Sequence, residues 1–432
     1  MTFSKLKKNK QEQKKKNGIS VLHGFSSGAG QPNQIATMQR KLGIDAHCIH
    51  IGANRLGYKF DRIIPDGSMA SRMSLFNKIH SKYNAFHFYG FPFFYWKTNL
   101  KQYPFGYDLF MLKMMKKNVI MNFRGSEVRQ QDIFEKCSDF SYADGEDHGL
   151  FKDFPSDEQR KYIEFCTAFA TSIIVPDVEL GSYVPGAKVI PRAIDTNRWG
   201  FSGPKNQTKP LILHAPTRRL VKGTNIIIDI IDKLKSKGLQ FDFKLVENLH
   251  NNEAAKLYKN ADIIIDQMRI GWHGVVSLEA MSLGKVAVCY IRDDLTHGLA
   301  YKGRLPLVNA NPNNLEKELE KLIKNPALRQ DIGNFARHYV EKKHDVKIVA
   351  EKFIKEYKKK PKPVTPEEIE MYRQLVCDQQ IKLLRKQTSL VKKISWCRSQ
   401  LNKYYILRKI RDFLYKIGIK HIIDFLFRRK NK

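Results

Sequence analysis

Three cations stand close together between a predicted strand and a predicted helix in the second half of the sequence. Arg218, Arg219 and Lys222 fall within the segment from Pro216 to Gly223. Guanidinium and ammonium groups beside a helix N-terminus can share the oxygens of a diphosphate and stabilise charge that develops on a leaving group. A solvated basic loop has the same composition, so the spacing alone leaves both interpretations open.

The elements that must position such loops alternate between strand and helix over residues 18–370. Strands are predicted over 19–23, 85–89, 119–123, 172–175, 210–214, 241–246, 262–266 and 286–290. Helices are predicted from Pro32, from an N-cap at Thr224, over 252–258 and over 277–283. This alternation is typical of βαβ units, and two doubly wound α/β domains fit it better than one large sheet. Ligands of such sheets bind at the carboxyl ends of the strands.

The composition excludes several other classes of protein. Hydrophobic residues make up 42% of the 432 residues, which is enough to form sizeable cores. The six cysteines are scattered, which favours reduced packing residues in a cytosolic protein. No apolar segment of about 18 residues is found, so neither secretion nor a membrane span is expected. The formal net charge of +33 favours nucleic acid, an anionic membrane surface or a phosphorylated small molecule as partner.

Several strings in the sequence match those of one enzyme family. The run from Glu279 to Val286 reads E-A-M-S-L-G-K-V, residues 184–195 read V-P-G-A-K-V-I-P-R-A-I-D, and residues 124–129 read R-G-S-E-V-R. Together with the basic loop over 218–223, these strings resemble the retaining nucleotide-sugar glycosyltransferases of family 4. The resemblance covers about residues 18 to 355. It implies the GT-B fold, with two Rossmann-like domains that face a cleft.

The resemblance also implies a donor site. Arg218 and Lys222 would hold the diphosphate of a nucleotide sugar, and Glu279 would bind the ribose hydroxyl groups. A carboxylate in the first turn of a helix is expected to stay ionised beside the positive end of the dipole. Transfer would retain the anomeric configuration and would be driven by stabilisation of the leaving diphosphate. Because no D-x-D pair occurs, neither a metal nor another cofactor is required.

One position departs from the family pattern. Gly271 stands eight residues before Glu279, where many members carry a first glutamate that contacts the donor sugar. We expect His273 and the backbone of Gly274 and Val275 to take over this contact. A different donor preference or a loss of activity are the alternatives, and His273 would equally suit a packing role.

The first half of the sequence contributes further candidates. Gly28 and Gly30 match the glycine turn that lies over the donor phosphates in this fold, although such a pair is weak by itself. His87 is a candidate for contact with the sugar or acceptor, with a structural role as the alternative. Arg124 stands where family members often have a histidine, and it is a candidate for acceptor or phosphate contact.

Basic segments flank this body. Residues 1–17 hold seven lysines and one glutamate, and residues 371–432 hold 17 lysines and arginines against three aspartates. We predict a disordered tail over 1–17, an acceptor domain over 18–195, a linker over 196–208, a donor domain over 209–358 and a basic helical extension over 359–432. An amphipathic stripe over 406–417 would suit an anionic inner membrane leaflet or packing against the body.

Three functions follow from these patterns. The first is a cytoplasmic glycosyltransferase, peripheral on the inner face of the plasma membrane, that uses a glycan or lipid-linked acceptor in cell-surface polysaccharide or glycoconjugate synthesis. The second is a non-catalytic relative that binds nucleotide sugars or glycans. The third is a nucleic-acid-binding protein, but the sequence has no recognised motif of that class, and no nucleic-acid partner is expected.

Overall fold

The structure is a computed structural model that describes residues 18–65, 69–94, 106–140 and 155–378, together with Asp412 and Lys416. Met1–Ile369 forms one compact unit and Glu370–Lys432 forms a second. In the second unit, residues 370–378 are helical. The predicted tail over 1–17 lies outside the described residues, as does the amphipathic stripe over 406–417 apart from Asp412 and Lys416.

The first half of the chain forms a seven-stranded parallel sheet. Its strands are β1 (Ser20–Phe25), β2 (Asp45–Ile51), β3 (Arg62–Ile64), β4 (Ala85–Tyr89), β5 (Asn118–Asn122), β6 (Ser172–Val175) and β7 (Lys188–Val189). Its helices are α1 (Gln31–Lys41), α2 (Met69–Ile79), α3 (Tyr107–Met114), α4 (Gln131–Cys137), α5 (Ser156–Phe169) and α6 (Val178–Gly181). The spatial order is β3-β2-β1-β4-β5-β6-β7, so the strand order reverses between β1 and β4. A ligand is expected beside the loops after these two strands.

The second half forms a five-stranded parallel sheet. Its strands are β8 (Leu211–His214), β9 (Asp242–Leu245), β10 (Ile263–Ile265), β11 (Val286–Cys289) and β12 (Val308–Asn309). The helices are α7 (Arg219–Lys222), α8 (Thr224–Ser236), α9 (Asn251–Asn260), α10 (Val275–Ser282), α11 (Thr296–Leu299), α12 (Leu315–Lys324), α13 (Pro326–Lys343) and α14 (Val346–Tyr357). The order β12-β11-β10-β8-β9 places the reversal between β8 and β10. The loop with the three cations follows β8, and the loop with Gly271 follows β10.

Helix α14 belongs to the core of the first sheet, although the sequence analysis grouped it with the second domain. Val349 and Phe353 of this helix are buried in one cluster with Val21 and Ile120. The chain therefore crosses between the sheets twice. The two crossings pair in parallel, because Ile194 donates its N–H to the carbonyl oxygen of residue 344 and accepts the N–H of residue 346, each at 2.9 Å.

The start of α8 differs from the prediction in one detail. Thr224 is the first helical residue and not the N-cap, and its hydroxyl pairs with Nε2 of His214 at 2.9 Å. The residue before it, Gly223, has a φ of 70° and joins α7 to α8. The left-handed conformation favours glycine there because it lacks a Cβ atom. This hydrogen bond joins the last residue of β8 to the first residue of α8, on either side of the basic loop.

Candidate active site

Three cavities adjoin where the loops of the two sheets face each other. The first, second and third cavities have volumes of about 410, 360 and 520 Å³. Ala29 and Val275 line both the first and the second cavity, and Ser27 lines the first and the third. Tyr58 lines the second and the third. The shared residues show that the three cavities are neighbours along one cleft.

The three cations of the loop after β8 have different surroundings. Arg218 is exposed, lines the third cavity and has no carboxylate partner among the described residues. Arg219 turns to Glu247, with two contacts of 2.8 and 2.6 Å. Lys222 is nearly buried and lines none of the three cavities. Of these three cations, Arg218 is therefore the one that offers a guanidinium with no ion pair to the described part of the cleft.

Lys222 is held by the loop after β10. Its Nζ donates to Oδ1 of Asp266 and to Oε1 of Gln267, each at 2.6 Å. The other oxygen of Asp266 accepts the N–H of Gly274 at 2.6 Å and the hydroxyl of Ser277 at 2.7 Å. Asp266 therefore caps the start of α10 and joins it to the basic loop. Burial opposes ionisation of Asp266, but the charge of Lys222 and these hydrogen bonds hold its pKa below the usual value.

Glu279 lies in the second cavity, one turn further into α10 than the sequence analysis placed it. The helix begins at Val275, so Glu279 falls in the second turn and gains little from the dipole. Its side chain is buried, and among the residues that the structure describes its one hydrogen-bond donor is Nδ2 of Asn251 at 3.4 Å. Burial raises the pKa of Glu279 to about 8. Burial therefore favours the protonated carboxyl group, in contrast to the ionised carboxylate that was expected from the sequence.

Gly271 has a structural reason for its residue type. Its φ is 81°, and a Cβ atom added there would lie 2.5 Å from Cγ of Arg292. Arg292 is buried and pairs with Asp294 through two contacts of 3.0 and 2.7 Å. The space that a glutamate at position 271 would need is thus occupied by the Arg292 side chain.

His273 reaches the first cavity from the same loop. Its ring is buried, lies 5.5 Å from the Trp272 ring and lies edge-on at 5.9 Å from His344. Burial and the charge of Arg192 lower the pKa of His273 to about 4. The imidazole is therefore neutral near pH 7, so that one ring nitrogen donates a hydrogen bond and the other accepts one. Gly274 and Val275, the other predicted contacts of this loop, also line the first cavity.

The glycine turn after β1 lies in the cleft. Gly28 lines the first cavity and Gly30 lines the second, with φ values of 45° and 75°. A Cβ atom at Gly30 would lie 2.8 Å from the Tyr58 ring. The absence of a side chain at Gly30 thus lets Tyr58 close over the turn. Tyr58 itself is held by Asn54, whose side chain contacts both backbone groups of Tyr58, at 2.6 and 3.0 Å.

Arg124 lies in the first cavity, as a contact residue would have to. Its Nη2 donates to the carbonyl oxygen of Gly28 at 3.3 Å, and its guanidinium lies 5.9 Å from the centre of the Tyr89 ring. Two further arginines line the same cavity, and each pairs with a carboxylate. The first cavity therefore collects charges from three loops of the first domain.

His87 does not reach the cleft, so its predicted contact with sugar or acceptor is not supported. Its ring has no exposed surface, and Nδ1 pairs with the hydroxyl of Tyr357 at 2.8 Å. Nε2 pairs with the amide of Asn122 at 3.2 Å. The ring stacks on Tyr89 with centres 4.3 Å apart, which places it one side chain behind the first cavity. Burial and the neighbouring His23 hold its pKa well below the usual value, so it is a neutral packing residue.

The structure adds cleft residues that sequence reasoning did not select. Glu127 and Arg192 line the first cavity and lie in strings that the resemblance quoted, but no role was assigned to them. Tyr58 had no signal, because its loop is brought to the cleft only by tertiary packing. The N–H of Asn251 in the second domain donates to the carbonyl oxygen of Leu56 at 3.3 Å and fixes that approach.

Among the described residues, no three His, Cys, Asp or Glu side chains are grouped so as to hold a metal ion. Within the same ranges, no helix is long and apolar enough to cross a bilayer.

Comparison with known proteins identifies the fold. The chain matches no protein-family model and no curated protein sequence. Solved structures match over most of the chain, and sucrose-phosphate synthase from Thermosynechococcus elongatus superposes with a TM-score of 0.53 at 14% identity over 78% of this chain and 98% of that one. HepE from Anabaena, in complex with UDP and glucose, superposes with a TM-score of 0.51 at 13% identity over 78% and 98% of the two chains.

A third match is an alpha-glucosyltransferase in complex with UDP-glucose and DNA containing an abasic site. Its TM-score is 0.52 at 9% identity, over 79% of this chain and 99% of that one. These likenesses show that the chain has the α/β GT-B fold of glycosyltransferases, with two Rossmann-like domains. The predicted fold class is thereby confirmed.

Proposed function

We propose that the protein is a glycosyltransferase of the retaining, family 4 type, which moves a sugar from a nucleoside diphosphate to an acceptor. The observation that carries this proposal is the cleft of three adjoining cavities at the strand-order reversals of both sheets. Arg218, Glu279 and the Gly28–Gly30 turn face this cleft from different elements. Such reversals are where ligands of open α/β sheets bind.

The positions of these residues along the cleft suggest which part of the donor each of them would bind. The unpaired Arg218 would neutralise the diphosphate together with the glycine turn. Lys222 would contribute without lining the cleft. It fixes the loop after β10 through Asp266 and adds a positive charge close to the N-terminus of α10. Glu279 would accept the ribose hydroxyls after losing its proton. The neutral His273 would contact the sugar or the acceptor in the first cavity.

The finer parts of the proposal concern the acceptor and the location. A glycan or lipid-linked acceptor in cell-surface polysaccharide synthesis fits a first cavity that is open to both domains. The basic residues over 371–432 would attract the protein to an anionic membrane on the cytoplasmic side, with no nucleic-acid or metal requirement. Sedimentation with phosphatidylglycerol vesicles, compared with phosphatidylcholine vesicles, tests this part. Equal and negligible binding to both would remove the membrane proposal.

A non-catalytic relative that binds nucleotide sugars is the second candidate. The observation that favours it is Gly271, because the sugar-contacting glutamate of the family cannot be accommodated beside Arg292. Such a protein would bind a donor in the same cleft without turning it over.

One set of experiments separates these candidates. UDP-, GDP- and ADP-sugars are first screened for an increase in melting temperature, since a ligand that binds only the native state stabilises it. The stabilising donor is then incubated with the protein, and release of nucleoside diphosphate and the anomeric configuration of the product are followed by NMR. Turnover with retention supports the enzyme, binding without turnover supports the second candidate, and no binding of any donor contradicts both.

Variants of cleft residues test whether the donor binds in the cleft. Arg218→Ala and Glu279→Ala are expected to lower donor affinity at least about tenfold. Arg304→Ala is the matched control, because Arg304 lies on the surface and pairs with Asp331 at 2.9 Å outside the cleft. A donor that binds equally well to all three variants would bind elsewhere.

A further inference from the structure

We propose that Arg124 makes the first cavity a site for an anionic group, a carboxylate or phosphate carried by the transferred sugar or by the acceptor. The inference rests on the proposed function, and it adds the substrate class. The donor diphosphate is assigned to Arg218 in the third cavity, so this anion would be a second and separate one.

Two of the three arginines that line the first cavity form ion pairs with carboxylates, and Arg124 and Glu127 are the charged residues left over. Arg129 contacts Glu179 through two hydrogen bonds of 2.8 and 2.7 Å. Arg192 donates to Asp177 at 2.5 Å. Arg124 has no carboxylate within ion-pair distance among the residues that the structure describes. It is the cation of the cavity whose charge is not neutralised by direct contact.

The remaining carboxylate, Glu127, serves a different group. One of its oxygens accepts the backbone N–H of Arg124, so it holds the loop and not the guanidinium. Glu127 is buried, and the same oxygen lies 3.2 Å from the place a Cβ atom would take at Gly90. The carboxylate is therefore confined by its neighbours. It fixes the backbone from which Arg124 extends.

The guanidinium of Arg124 is held in place by its neighbours, but few of its N–H groups have a hydrogen-bond acceptor among the described residues. Among the described residues it makes one hydrogen bond, to the carbonyl oxygen of Gly28 at 3.3 Å, and its carbon Cζ lies 5.9 Å from the centre of the Tyr89 ring. A guanidinium has five N–H donors, so most of them are left for a ligand. Burial and the nearby charge of Arg192 lower the pKa of Arg124 to about 10, and the group therefore stays charged at neutral pH in an unfavourable place. An anion would compensate that charge with a bidentate, charge-assisted contact.

The first test uses ligands that differ by one group. Donors with glucose or glucuronate on the same nucleotide differ only in the hydroxymethyl or carboxylate group at carbon 6. Acceptor binding is compared with glycerol and glycerol 3-phosphate. We expect the native protein to prefer one anionic member of these pairs at least about tenfold, measured as Kd by calorimetry. The pair that shows the preference identifies whether sugar or acceptor carries the anion.

Variants then assign the preference to Arg124. Arg124→Gln is expected to remove the preference and leave the affinity for the free nucleoside diphosphate within about twofold, and Arg124→Lys is expected to retain part of it. Arg304→Gln is the control for loss of one positive charge. Melting temperatures of all variants show whether the fold persists, and Arg124→Lys keeps the test decisive if Arg124→Gln does not fold.

The outcomes are distinct. Equal affinity of the native protein for both members of both pairs overturns the proposal, and so does a loss of nucleoside diphosphate binding in Arg124→Gln, which would place Arg124 at the donor diphosphate. Ligand-observed NMR with free glucuronate and glycerol 3-phosphate reads the anion site without any nucleotide. If no nucleotide binds but these anions bind through Arg124, the proposed function fails and the anion site stands.

Discussion

Nζ of Lys222 lies 2.6 Å from Oδ1 of Asp266, and this ion pair joins the loops that follow β8 and β10. The two strands are neighbours in the second sheet, where Ile265 pairs with His214. The contact therefore spans the reversal of strand order at which a ligand is expected. The same carboxylate caps α10, so the basic loop and the start of that helix are fixed together.

Loss of this ion pair is expected to destabilise the second domain. Lys222→Ala would leave Asp266 buried without its counter-ion, which typically costs about 3–5 kcal/mol. Lys235→Ala is the matched control, because Lys235 is exposed and 3.7 Å from Asp232, and its loss should change the free energy of unfolding by less than about 0.5 kcal/mol. Urea unfolding measures both. Similar small effects for the two variants would contradict the role given to the pair.

The same variant has a predictable pH dependence. Because the pKa of Asp266 is lowered in the folded protein, its ionised form stabilises the fold above the pKa of the unfolded chain, near 3.8. This contribution is lost as the pH falls through the lower folded value. The difference between native protein and Lys222→Ala should thus be largest above about pH 4 and should shrink in more acidic solution.

Glu279→Gln is expected to stabilise the unliganded protein in alkaline solution. The unfolded carboxyl group ionises near pH 4.5, but in the folded protein it stays protonated up to about pH 8. The native protein should therefore lose stability relative to Glu279→Gln between these values, by up to about 1.4 kcal/mol for each pH unit and on the order of 4 kcal/mol in total. Unfolding at pH 5, 7 and 9 measures the trend, with the exposed Glu351→Gln as control.

A stability difference between native protein and Glu279→Gln that does not change with pH would show that Glu279 is solvated. Nucleotide binding gives an independent reading of the same group. If the ionised carboxylate accepts the ribose hydroxyls, affinity should rise as the pH approaches 8, and Glu279→Gln should lose that dependence.

Restoring a glutamate at position 271 is expected to harm the protein and not to improve it. Gly271→Glu would place a side chain at a φ of 81° and against Arg292, at a cost of about 1–2 kcal/mol for the backbone and about 1–3 kcal/mol for the overlap. Gly303→Glu is the control, since Gly303 has a φ of 77° but nothing within 4 Å of an added Cβ. The difference between the two variants measures the overlap. Faster sugar transfer by Gly271→Glu would refute this explanation of the glycine.

Tyr357→Phe is expected to weaken the attachment of α14 to the first sheet. The hydroxyl of Tyr357 contacts Nδ1 of His87 at 2.8 Å and Nε2 of Gln39 at 3.2 Å, and its removal leaves both without this partner. We expect a loss of about 1–3 kcal/mol in the free energy of unfolding and no change in nucleotide affinity. Tyr183→Phe removes a buried hydroxyl for which the described residues offer no hydrogen-bond partner, and it should change stability little. Equal effects would argue against the network.

Much of the fold could be predicted from the sequence because short-range patterns determine it. The strands over 85–89 and 172–175 are found where they were predicted, since continuous apolar runs suit strands that are covered on both faces. The start of α10 was less predictable. The helix begins at Val275 because Asp266, eight residues before Gly274, caps it through space. No local pattern carries that information.

The sequence by itself determined the two parallel sheets, the loops at which a ligand should bind and the residue types that those loops contain. Only the tertiary structure decided which charges are free. Arg218 and Arg219 are adjacent, yet Arg219 is neutralised by Glu247 and Arg218 has no ion pair within the described part of the chain. His87 and Arg124 were both candidates from the sequence, yet His87 is buried behind the first cavity and Arg124 lines it. The physical reason is that pairing and burial depend on which loops the sheet order brings together, and that order joins residues far apart in the chain.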